Sequence, residues 1–158
     1  MKNHILPVIT AALLCVAAIA PSIQAMAAPG APVAGIAAVF DDYFKIQTAL
    51  ANDSLEQVAA NALALAVMVR QDMTGAFRRE LAAEAEALAR ANDLPAARQI
   101  FKAVSGYLIQ TFRAGHAPEA TVHEMHCPRR NVNWLQRGEV VGNPYLGKAG
   151  QRVGTVVN

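Results

Sequence analysis

Between Ile36 and Phe112 the apolar side chains return every three or four residues, in four successive blocks. That rhythm restricts the segment to amphipathic helices. Ile36, Val39, Phe40, Tyr43, Ile46 and Leu50 form the first stripe, and Asn52-Asp53 closes it. Ser54 with Gln57 three residues on reads as a capping box for the second stripe, Leu55, Val58, Ala62, Leu65 and Val69, which fades at Gln71-Asp72. Thr74 is the next cap candidate, ahead of Phe77, Leu81, Ala85 and Leu88, with Asn92 as the stop. Asp93 caps the fourth stripe, Leu94 to Phe112, and Pro95 falls in its first turn, where a missing N–H costs nothing. Short connections make the helices antiparallel neighbours, so the expected fold class is all-α: an up-down-up-down four-helix bundle over residues 35–115. The abundant alanines let helix axes approach closely and bury little apolar area per layer, which implies modest stability.

The composition changes from Ala117. Pro118, Pro128, Pro144 and five glycines from Gly138 to Gly154 forbid a long helix, so residues 116–158 are expected to be an irregular tail packed on the bundle as part of the same domain. Val140-Val141 and Val153 to Val157 could form short strands. Trp134, the single tryptophan, is expected to bury its ring and to find a carbonyl for its N–H.

Residues 1–27 have the pattern of a secretory leader. Lys2 gives a positive start, Ile5 to Ala20 an apolar run too short for a comfortable span, and Ala25-Met26-Ala27 the small-residue cleavage signal. Residues 28–34 are a Pro/Gly linker. The mature chain is therefore expected in the periplasm or outside the cell, with no transmembrane segment after cleavage. It would hold 131 of the 158 residues, enough for one domain. Of 14 Lys+Arg only Lys2 leaves with the leader, and the remaining 13 face 12 Asp+Glu. This near-neutrality, with Arg129-Arg130 the one basic pair of the tail, excludes the footprint of a nucleic-acid binder.

Removing the leader also removes Cys15, so Cys127 stands alone and no internal disulfide can form. It closes the densest group of metal-ligand residue types, His123-Glu124-Met125-His126-Cys127. Imidazole, thioether and thiolate suit copper(I), and imidazole with thiolate also suits zinc. In an extended segment His123, Met125 and Cys127 share one face and His126 takes the other. The competing reading is structural: Met125 packs inward, the histidines are solvated and Cys127 is incidental. No nucleophile elbow, phosphate loop, dinucleotide fingerprint or His-Glu-x-x-His motif occurs, so the expectation is that the chain is not an enzyme.

The tail carries a resemblance. His126-Cys127-Pro128, then Trp134-Leu135, then Asn143-Pro144-Tyr145-Leu146-Gly147 resemble the domain-of-unknown-function family 3347. Phe40 with Tyr43, Leu50 to Asp53, and Asn92-Asp93-Leu94 followed by Ala97-Arg98, Phe101 and Ser105 are similar to its helices. The resemblance implies an exported bacterial helical domain found alone or joined to copper/silver-efflux adaptor proteins, with Cys127 and His126 as ligands. Arg129 stands where that family has a methionine, and Gly150 and Val153-Gly154 stand where it has a methionine and Cys-Gly. Two functions follow. One is a copper-binding accessory of the envelope, working with an efflux-system protein and using Cys127, His126, His123 and Met125. The alternative is an interaction module of the envelope that keeps the scaffold and has lost the metal site.

Overall fold

The computed structural model describes residues 34–116, 118–119 and 121–157. The expected leader (1–27) and all of the linker but Ala34 lie outside these residues. Helix α1 spans Ala34–Ala51, α2 Val58–Gln71, α3 Glu80–Ala89 and α4 Leu94–Arg113. Each helix packs on the next, and α1 also meets α4. The stripes face inward as their spacing requires: Phe40, Leu50, Leu65, Leu81, Leu88, Phe101 and Leu108 are fully buried. No described helix is long and apolar enough to cross a membrane.

The helix starts divide by their chemistry. Asp93 caps α4 as its sequence implies, its carboxylate accepting the Ala96 N–H at 2.7 Å. The other two expected caps do not start helices. Ser54 Oγ accepts only the Glu56 N–H, Gln57 is left-handed at φ 59°, and α2 begins one residue later. Before α3 the organising group is Asp72, which accepts the Thr74 N–H, the Thr74 hydroxyl and the Phe77 N–H. That knot delays α3 to Glu80.

The fold is not all-α. The tail contains a three-stranded antiparallel sheet, so the architecture is mixed: four helices with a sheet of order β2-β1-β3. β1 (Val122–Cys127) and β2 (Val132–Arg137) form a hairpin that pairs Val122 with Arg137 and Cys127 with Val132, and β3 (Thr155–Val156) adds to the other side of β1. Proline at 118 and 128 excludes helix on both sides of β1, and Asn131, left-handed at φ 50°, turns the chain into β2. The strands escape the usual alternation because the sheet is buried on both faces: Val122, Glu124, Met125 and Cys127 of β1 are all buried, as are Val132, Trp134, Leu135 and Gln136 of β2. Of the two strands expected from valine content, β3 forms within 153–157, whereas Val140 lies 89% exposed in a bend.

Sheet and bundle share one core. The Tyr43 ring of α1 stacks on Phe101 of α4 with centroids 5.1 Å apart. Phe101 meets Tyr145 of the tail, and Tyr145 meets Trp134 of β2 edge-on at 6.2 Å. The Trp134 N–H donates to the side-chain carbonyl of Gln136. Asn143, wholly buried, accepts the Tyr145 and Leu146 N–H groups and donates to the Val153 carbonyl, which makes the turn expected at Asn143-Pro144.

Candidate functional site

The four sequence-predicted ligands lie on one strand, and its geometry distributes them. His123, Met125 and Cys127 alternate onto one face of β1, and His126 takes the opposite face with Glu124. Met125 is 1% exposed and Cys127 0%, alongside their cross-strand partners Trp134 and Val132. Tyr145 closes over them, its hydroxyl donating to the Asn133 carbonyl at 3.0 Å. His123, half-buried, stands four residues from Cys127, about 13 Å along an extended strand, and lines a separate cleft with Phe112, Val156 and Val157. Coordinating sulfur and nitrogen sit only ~2.0–2.3 Å from an ion. The four donors therefore do not converge on one point. Among the described residues no three His, Cys, Asp or Glu side chains group closely enough to hold a metal ion together.

His126 has a defined environment of its own. Its Nδ1 lies 2.7 Å from Asn133 Oδ1, and Asn133 Nδ2 donates to Glu124 Oε1 at 2.6 Å. Arg113 from α4 completes the chain with a two-pronged contact to Glu124 at 2.6 and 2.8 Å. A carboxylate can only accept, so the amide must turn its NH₂ toward Glu124 and its oxygen toward the ring. Nδ1 consequently carries the proton, and Nε2 presents its lone pair in the neutral ring. The carboxylate holds Arg113 above its ordinary value, first through the hydrogen bond and then through charge. Glu124 and Asn133 escape sequence reasoning because only the hairpin register brings them together.

Deeper in, the hydroxyls of Tyr43 and Ser105 bond at 2.5 Å, and Tyr43 accepts the Leu135 N–H at 3.0 Å. Burial pushes the Tyr43 and Tyr145 phenols well above their ordinary value. The Tyr43, Ser105 and Leu135 contacts tie α1, α4 and β2 together, and all three residues are wholly buried.

The model of a family described as Protein of unknown function (DUF3347) matches residues 39–120, just over half of the chain. The chain belongs to this family. No curated protein and no solved structure matches it. The DUF3347 match covers nearly all of the helical part and stops short of β1, so Cys127, His126 and the tail strings lie beyond the matched residues. Within the match, Tyr43, Arg98, Phe101 and Ser105 hold the helices to the tail, which gives these family-like residues structural work. Arg98 donates to the carbonyls of Leu50 and Pro144, each at 2.8 Å, and to Asp53 at 2.5 Å.

Proposed function

We propose that this DUF3347 chain is an exported interaction module of the cell envelope that keeps the family scaffold and does not use its sulfurs to hold metal. The observation that carries this reading is the complete burial of Cys127 and the near-complete burial of Met125 against Trp134 and Tyr145, with the His126 ring on the far face. Copper(I) would have to displace packed hydrocarbon to reach either sulfur, and it would gain at most one imidazole from each side of the sheet. Arg129, at the exposed turn next to Cys127, adds a positive charge that further disfavours a cation. No catalytic role is proposed: the contact that orients His126 is the one from Nδ1 to Asn133, and a base alone does not make a catalytic site.

The test is a copper(I) titration of the chain lacking residues 1–27 against a competing chelator, beside Cys127→Ser and the His123→Ala/His126→Ala pair. The expected result is weak binding that is the same in all three proteins. Tight binding by the wild type that Cys127→Ser abolishes would restore the copper-accessory reading. Because a thiol must be deprotonated to ligate, such binding would also weaken in acid.

A further inference from the structure

A cleft of about 350 Å³ opens between the first turns of α4 and the tip of the β1–β2 hairpin. Pro95, Arg98, Gln99 and Lys102 line one side, Arg130 and Val132 the other, and Tyr145 forms part of the wall. Three of these seven residues are cationic and none is acidic. Residues 98, 99 and 102 share one helix face by their spacing, and Arg130 reaches the same cleft from a different element, so the convergence is tertiary rather than a run of neighbours.

The three cations differ in how they are held. Arg98 is fastened through Nε and Nη2 to Pro144, Leu50 and Asp53, which leaves Nη1 without a protein partner among the described residues. It is a donor whose position is already paid for by the fold. Lys102 and Arg130 are exposed and make no ion pair among the described residues. Val132 and Tyr145, 8% and 7% exposed, give the cleft a rigid apolar wall. The Tyr145 hydroxyl donates to the Asn133 carbonyl, so its proton is already engaged and the donors left to the cleft are the cationic side chains.

From this geometry we infer that the cleft binds a phosphate-type oxyanion through Arg98, Lys102 and Arg130. Planar guanidinium groups match the oxygens of phosphate in pairs, and an ammonium adds a point charge. A dianion balances the excess charge better than a single carboxylate, because Asp53 already compensates Arg98. The anion could be free phosphate or the headgroup of a phosphomonoester lipid, since both present the same oxygens. The site is independent of the metal question, because none of the four candidate ligands lines it.

The experiment is calorimetric titration of the chain lacking residues 1–27 with inorganic phosphate at low ionic strength, together with co-sedimentation on phosphatidylcholine vesicles with and without phosphatidic acid. Lys102→Gln/Arg130→Gln should weaken the interaction by about tenfold or more, since two charge-assisted contacts are lost. Both positions are exposed, so the variant should melt like the wild type. Arg79→Gln, at the opposite end of α3 from the cleft, should bind like the wild type. Binding to phosphate identifies a soluble anion, and binding only to vesicles containing phosphatidic acid identifies a headgroup; either supports the site. The inference is overturned if neither probe binds, or if the double variant binds no more weakly than Arg79→Gln.

Discussion

Gly147 shows how narrowly single positions in the tail are specified. Its φ is +61°, and a Cβ there would run into the Asp53 carboxylate and the Arg98 guanidinium, which are already paired with each other. Neither partner can yield without loosening the other, so Gly147→Ala should cost about 2 kcal/mol or more in urea denaturation. Tyr43 is a second such position. Tyr43→Phe strands the Leu135 N–H and the Ser105 hydroxyl in the core, a loss of about 1–3 kcal/mol for an unsatisfied buried group. The buried phenols also set an alkaline limit. Both pKa values are raised in the fold above the unfolded value of 10.0, so their stabilisation is complete below that pH and is lost as pH rises beyond it. A pH series of melting temperatures should fall above about pH 10, and Tyr43→Phe should flatten the fall. At His126, nitrogen NMR should find the proton of the neutral ring on Nδ1, and Asn133→Leu should release that preference.

At the scale of elements, the helices were legible, and of the sheet only β3 was. Period together with the end signals placed α1 and α4 nearly to the residue, because Asn52-Asp53 closes α1 and the Asp93 cap of α4 has no rival. The same logic set α2 and α3 too early, since Ser54 and Asp72 bind backbone groups of local turns rather than of a helix. The hairpin was hidden because neither VHEMHC nor VNWLQR alternates: polar Glu124 and Gln136 are buried with partners of their own. Trp134 was correctly expected inside, but its place in a strand was not. The face shared by His123, Met125 and Cys127 followed from strand geometry, whereas which face is sealed depends on where Tyr145 and Gly154 fold back. Because Trp134 and Leu135 complete the cores of α1 and α4, the helical segment 34–115 expressed alone should lose cooperative thermal unfolding, as followed by circular dichroism. Changes on the outer face of α2 should behave oppositely. Leu63 and Val67 are each 51% exposed, so Leu63→Gln and Val67→Thr should shift stability by less than about 0.5 kcal/mol.

For the whole molecule, the tail is the part that completes the fold and bears on the proposed function. It closes the core of the DUF3347 helices, carries every candidate metal donor, and supplies one wall of the basic cleft. A hairpin locked into a shared core can present a surface but cannot readily rearrange its sulfurs around an ion, and that trade separates the two functional readings. The most direct measurement is the rate at which a small alkylating reagent modifies Cys127 in the chain lacking residues 1–27, taken across a urea series beside the rate of global unfolding. Modification should require opening of the domain, with the two processes sharing the same urea dependence. Modification in native buffer at a rate close to that of a free thiol, insensitive to urea, would contradict it.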